Sequence, residues 1–295
     1  MTVTALHPRP GLRAFMKDQI AVVGAAVRRE AALVLIGVVL LLAVLLAAAF
    51  RLGNTLSLDP LGDIYAVAMV AAFGALFAPL AVWKGEPRFG SAPLWLLPMD
   101  HRTSAIGKVA AGWIWTMAVV ATLFVLLVSV ALASGGTVGA ARTVYLSPTL
   151  DPANISPVRW SVQWWQFAAL FTGATIGYLT TSALLLATPY PGRWAVGVGL
   201  VLFAIFGVID ITNDPGLIGA ARNAINAFIA GPYGVDAFLS GGVEAFDELV
   251  ELPNGRRLVV LTALPSPGRW VGATLLWLSG SLTAVFAAAS RHRGR

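Results

Sequence analysis

A chain of 295 residues in which 58% are apolar and only 12% are charged carries more apolar surface than a soluble core of this size can hide. Its mean hydropathy of +0.79 and its long uninterrupted apolar blocks identify lipid as the solvent, and a soluble catalytic domain is excluded. The net charge of +6 then reads as a membrane orientation signal, because no basic run is interleaved with stacking aromatics as nucleic-acid binding requires.

The first segment, 11–29, is expected to be an amphipathic interfacial helix. Leu12, Phe15, Met16, Ile20, Val23 and Val27 recur at three-to-four spacing, and Arg13, Lys17, Gly24 and Arg28 fall on another face. Six apolar blocks follow that meet the length rule for crossing a hydrocarbon layer of about 30 Å at about 1.5 Å per helical residue. They cover 31–50, 64–83, 109–133, 167–188, 195–211 and 270–290. Each is expected to be helical, since a backbone in lipid must satisfy its own hydrogen bonds and no block alternates with the period of a barrel strand. Pro79 is expected to kink the second span.

Charges sort by side. With both termini, the second-to-third loop and the fourth-to-fifth turn placed together, that side holds 13 Lys and Arg with 4 acids, and the other holds 7 with 10. The positive-inside rule therefore puts both termini in the cytoplasm. Trp83, Trp160, Trp164, Trp165, Trp194 and Trp270 stand at or near span ends, where indoles anchor in the interface.

Several chemistries leave no mark. The chain has no cysteine, and its histidines, His7, His101 and His292, all lie outside the spans, so no zinc, haem or iron–sulfur spacing occurs. Neither a Gly-x-Ser-x-Gly elbow, a His-Glu-x-x-His pair nor a phosphate-binding loop is present, which gives no recognisable route to hydrolysis of an ester, a peptide or ATP. No carboxylate falls at mid-span, which lowers ion-coupled transport. Lys108 sits at the cytoplasmic edge of the third span, where its stem can snorkel, and Asp210 sits at the outer end of the fifth, either lining a pore or simply solvated at the interface.

The loop 84–108 is amphipathic and framed by proline. It runs Glu86-Pro87-Arg88-Phe89-Gly90-Ser91-Ala92-Pro93-Leu94-Trp95-Leu96-Leu97-Pro98-Met99-Asp100-His101-Arg102, then reaches Gly107-Lys108 at the third span. Its apolar cluster, Leu94 to Leu97, is too short to cross and so lies on the membrane surface or packs against a protein. An acid, a Gly-Ser step, a Leu-rich turn ending in Leu-Pro, an Arg, and Gly-Lys opening a helix resemble the permease family of type-2 ABC exporters. Pro87, Pro93 and the lack of an acid after the Gly-Ser step depart from that pattern.

The resemblance covers nearly the whole chain in its order of spans and implies a specific plan. The chain would be a single all-α integral membrane permease domain, 1–295, with six spans, cytoplasmic termini and an N-terminal elbow helix. It would lack its own catalytic site and bind no cofactor, with ATP and Mg bound by a separate ABC ATPase subunit. A second permease copy or a related permease would complete the path of an exporter. Glu86, Arg88, Gly90, Leu94, Leu97, Pro98, Arg102 and Lys108 would receive movement from the ATPase, and the elbow helix would either touch that ATPase or serve only as a charged anchor. Arg outnumbers Lys 17 to 3, as GC-rich bacterial coding produces, so the expected location is a plasma or bacterial inner membrane. Spans alone also fit an ATP-independent secondary transporter or channel, and a non-transporting scaffold subunit.

The fourth span carries Gly173-x-x-x-Gly177, whose small residues allow close backbone approach. Packing is the simplest reading of that face, while Thr172, Thr175, Thr180 and Thr181 offer hydroxyls to a translocation path. The extracytoplasmic loop, 212–268, is expected to hold short surface helices, a turn at Gly231 to Gly234 and a hairpin turn at Asn254-Gly255. It serves as a solvated cap, a gate or a partner site.

Overall fold

The structure, a computed structural model, describes residues 12–59, 63–83, 100–149, 151–188, 217–242, 248–251 and 257–291, with positions 190, 193, 197 and 200. The loop 84–99, most of the block 195–211 and the turn 252–256 lie outside these residues. Among the described residues, five helices are long and apolar enough to cross a membrane, and they mark a multi-pass membrane protein.

Helix α1 spans Leu12–Leu52. It joins without a break the stretches expected as an interfacial helix and a first span, because Arg28, Arg29, Glu30, Ala31 and Ala32 all favour helix and no proline intervenes. At 41 residues it is about 60 Å long, twice what the hydrocarbon layer needs. Its first half buries Phe15, Gln19, Val23 and Val27 at four-residue spacing, whereas Leu33, Leu40, Leu41 and Val44 in the second half are exposed. Helix α2 (Asp63–Val82) continues through Pro79, which is buried within it.

Helix α3 (His101–Ala133) begins directly after Asp100 and is capped at its end by Ser134 and Gly135, the latter at φ 78°. The α1 and α3 helices run parallel, since Phe15 packs on Gly107 and the Trp115 indole N–H donates to the Ile20 carbonyl at 2.9 Å. Helix α4 (Trp164–Ala187) starts on a capping box, with the Gln163 N–H donating to Gln166 Oε1 at 2.8 Å. It runs antiparallel to α3: Tyr178 donates to the Val109 carbonyl at 3.0 Å, and Phe124 meets Phe167 and Phe171.

The closest approach is between α2 and α4, which are parallel. A Cβ placed on Gly177 would stand 2.6 Å from the Ala72 carbonyl oxygen, and one on Gly173 would stand 3.4 Å from the Ala72 side chain. Small residues at i and i+4 therefore let two backbones touch, the arrangement that replaces hydrophobic drive inside lipid.

Four elements follow in the expected outer loop: α5 (Leu217–Ala230), the short α6 (Val235–Ser240), and the antiparallel strands β3 (Glu248–Glu251) and β4 (Arg257–Val260). The pair of strands before α4 is β1 (Arg142–Leu146) and β2 (Ser156–Trp160), antiparallel with Arg142 opposite Trp160. The last helix, α7 (Pro267–Arg291), starts beside the start of α4, where the Trp165 and Trp270 rings lie 5.6 Å apart. Its last turns share a core with Leu185 and Leu186 at the end of α4, so α4 and α7 are parallel.

The two ends of the bundle differ. The near end, where α1 and α3 begin, also receives the ends of α2, α4 and α7. At the far end, loops are stitched by backbone pairing: Leu58 N–H donates to the Thr137 carbonyl at 2.8 Å, Gly139 to Leu58 at 2.9 Å, and Leu261 to Tyr145 at 2.9 Å. An ion pair between Arg142 and Asp59 adds to this belt. The hairpin β1–β2 had no counterpart among the sequence expectations. Its strands are five residues each, too short for the alternation of Val144 and Leu146 with exposed neighbours to stand out.

The packing of α2 on α4 yields a direct test. Gly177→Val should destabilise the fold by the ~1–3 kcal/mol typical of overpacking, seen as a lower thermal unfolding midpoint in mild detergent, whereas Gly74→Ala, whose Cβ would meet nothing within 4 Å, should leave the midpoint unchanged or slightly higher.

Candidate functional site

At the near end, the residues that flank the loop 84–99 are tied together. Trp83 closes α2, is 3% exposed, and lies under the Lys108 ammonium, whose Nζ stands 4.3 Å from the indole centroid. Lys108 is itself buried, contrary to the expected snorkelling. The reason is the length of α3, which begins at His101 and so carries Lys108 almost two turns into the bundle, where the indole face supplies an electrostatic partner. The clamp joins the helix that enters the loop to the helix that leaves it.

Arg102 occupies the first turn of α3 and is exposed. Six residues separate it from Lys108, about 9 Å along the axis and on a different face. The first half of α1 braces the same region, since a Cβ on Gly107 would meet the Phe15 ring at 2.5 Å and one on Gly24 would meet the Trp115 ring at 2.6 Å. Both glycines are thus sites of close ring contact between α1 and α3. Of the residues singled out from the loop pattern, Arg102 and Lys108 are described, and Glu86, Arg88, Gly90, Leu94, Leu97 and Pro98 lie outside the described residues, as does Asp210.

The four threonines of α4 do not converge. Thr175 donates to the Phe171 carbonyl at 2.8 Å and accepts from the Trp113 indole N–H at 3.0 Å, so its hydroxyl joins α4 to α3. Thr172 donates to Ala169 within its own helix at 3.2 Å. Thr180 is exposed, and Thr181, nine residues past Thr172, falls about 180° around the helix from it.

A further polar group sits at the far end, where no sequence signal marked it. Asp236 on α6 is only 4% exposed although it belongs to the segment expected as an outer loop. Its Oδ1 accepts from the Ser240 hydroxyl at 2.9 Å, and Tyr65 on α2 packs against the neighbouring cluster of Ala237, Phe238 and Leu239. Ala237, Phe238, Leu239 and Ser240 are buried with it among α2, α4 and α7. Leu239 packs on Gly173, nine residues or about 13 Å along α4 from its start. Helix α6 therefore re-enters the bundle, and the bond from Ser240 offsets part of the cost of burying its carboxylate. Hydropathy cannot reveal a six-residue helix of this kind, since Val235 to Ser240 is both short and polar at two positions.

No protein-family model, curated protein or solved structure matches the chain.

Two substitutions test the near-end geometry and the role of Thr175. Trp83→Leu should lower stability by about 1–2 kcal/mol through loss of the cation–π contact, and Trp113→Phe should lower it by ~0.5–1.5 kcal/mol through loss of the bond to Thr175. Thr180→Val should lie within experimental error of the parent in the same detergent unfolding assay.

Proposed function

We propose that this chain is the permease subunit of an ATP-driven exporter of the type-2 ABC class, working as a dimer with a separate ATPase. The observation that carries the reading is the position of the loop pattern. Residues 86–102 resemble the segment by which such permeases meet their ATPase, and they leave α2 and enter α3 where Trp83, Lys108, Phe15 and Gly107 hold three helices together. A push on that loop would be delivered to α1, α2 and α3 as one body. Exposed Arg102 suits contact with a partner, and buried Lys108 suits transmission inside the bundle.

Helix direction supports a sixth span. Since α4 ends at the near end and α7 begins at the far end, the chain between Ala187 and Pro267 returns across the bundle, and 195–211 is the apolar block available for the crossing. Both termini then share the cytoplasmic side that the excess of Lys and Arg indicates. The membrane is a plasma or bacterial inner membrane in this reading, and the cargo is an amphipathic or hydrophobic molecule that moves between two permease copies.

Asp236 favours a second reading, an ion-coupled secondary transporter, because a buried carboxylate among spans is the group that such coupling uses. Flux separates the two: it needs nucleotide in the first and follows an ion gradient without nucleotide in the second.

Purification from the native membrane in mild detergent should bring a stoichiometric ATPase with the chain. The double variant Leu97→Asp, Arg102→Glu should lower substrate-stimulated ATP hydrolysis at least about fivefold, the low end of a typical coupling free energy, with insertion unchanged. A folded, inserted double variant with full transport would contradict the proposal.

A further inference from the structure

The first half of α1 packs through Phe15, Gln19, Val23 and Val27, and beside that face it carries a stripe of cations. At 100° per residue, Arg13, Lys17 and Arg28 fall within about 60° of one another around the helix, and Gly24 falls between Lys17 and Arg28. All three cations are exposed. The acids of this stretch, Asp18 and Glu30, are turned at least about 80° away from the stripe. Farther along α1 the same face turns apolar, with Leu35 and the exposed Val39.

An aromatic ring sits in the middle of the stripe. Gly24 leaves a notch that the Trp115 indole of α3 fills, since a Cβ there would stand 2.6 Å from the ring. The indole N–H is held by the Ile20 carbonyl at 2.9 Å and the residue stays 37% exposed, so a fixed surface lies between Lys17 and Arg28. Depth then decides what that surface meets. Phe15 packs at Gly107, where α3 enters its apolar block, and Trp115 lies seven residues, about 10 Å, past Lys108. Arg28 follows Gly24 by one further turn of α1. Its exposed guanidinium is therefore carried level with apolar residues of α3, where a cation facing hydrocarbon is costly unless an anion meets it. The anion that a bilayer brings to such a side chain is its own lipid phosphate, and helical side chains tilt toward the N-terminus, here the near end.

We propose that the groove between α1 and α3 at Gly24 and Trp115 is a binding site for an anionic phospholipid of the near leaflet. Arg28 reaches back to the phosphate over the indole, and Lys17 and Arg13 add positive potential on the headgroup side. An acyl chain runs the other way, along Leu35 and Val39. The face is cationic and then apolar in the order that a phospholipid is anionic and then apolar, and that order selects a lipid over an acidic protein. The inference rests on α1 and α3 alone and stands apart from the permease reading.

The test is to reconstitute the full chain in equal parts of phosphatidylcholine and phosphatidylglycerol, extract it in mild detergent, and read its retained lipid by native mass spectrometry. The parent should keep phosphatidylglycerol in preference to phosphatidylcholine. The double variant Lys17→Gln, Arg28→Gln should lower that retention at least about tenfold, with its unfolding midpoint unchanged because both side chains are exposed. The charge-keeping pair Lys17→Arg, Arg28→Lys should bind as the parent does, and so should Arg159→Gln, which removes an exposed cation at the far end. Equal retention of the two lipids by the parent, or retention that survives Lys17→Gln, Arg28→Gln, would overturn the site. An equal loss in Arg159→Gln would do the same, since net charge alone would then explain the binding. Unchanged lipid with loss of a co-purifying protein in the double variant would assign the stripe to a protein partner instead. The assay needs neither nucleotide nor ATPase, so failure of the permease reading leaves its outcome unaffected.

Discussion

The contact on which the rest of the architecture depends is the backbone approach of α2 to α4 at Ala72, Gly173 and Gly177. In lipid, side chains gain little by leaving solvent, so helices associate where small residues let backbones come close and dispersion contacts accumulate. That contact makes α4 the centre of the molecule. In its most apolar stretch 67% of the residues are buried, against 11% in α1, so α4 is surrounded by protein while α1 is largely free to meet lipid. From α4 the remaining neighbours follow: α3 through Trp113 and Tyr178, α7 through the paired tryptophans, and α6 through Leu239.

Helix α2 gains its importance from the same contact. Because it is packed along α4 it cannot bend freely, and it carries a contact at each end. Tyr65 packs against the cluster of Phe238 and Leu239 at the far end, and Trp83 underlies Lys108 at the near end. Rigid helices with discrete contacts at both ends are what couple distant sites in proteins. The belt of backbone pairing at the far end, from Leu58 through Val138 to Gly139, holds the start of this helix in place, and in the proposed function the loop at its other end is where force would enter.

Much of this was legible in the residues. Lipid allows a spanning backbone few conformations, so apolar blocks announce helices directly, and each of the five described spans lies over such a block. The spacing of Gly173 and Gly177 announced close packing for the same reason, and Asn254-Gly255 announced the pairing of β3 with β4. What hydropathy could not show was where polar groups end up. Lys108 looked like an edge residue because the polar start of α3, His101 to Ser104, lies outside the apolar block, and Asp236 looked like a loop residue because re-entry depends on α2, α4 and α7 together. The α4 threonines are a similar case: read from the sequence they offered hydroxyls to a translocation path, while the 100° step per residue turns Thr181 away from Thr172.

The direction of the helices is the central claim, since the near and far ends and the proposed return crossing derive from it. It is tested by single cysteines in the cysteine-free chain, Arg102→Cys for the near end and Thr143→Cys for the far end, probed in intact cells with an impermeant thiol reagent. Labelling of Thr143→Cys from outside, with Arg102→Cys labelled only after permeabilisation, is the result that this arrangement requires. Labelling of both from the same side would contradict it.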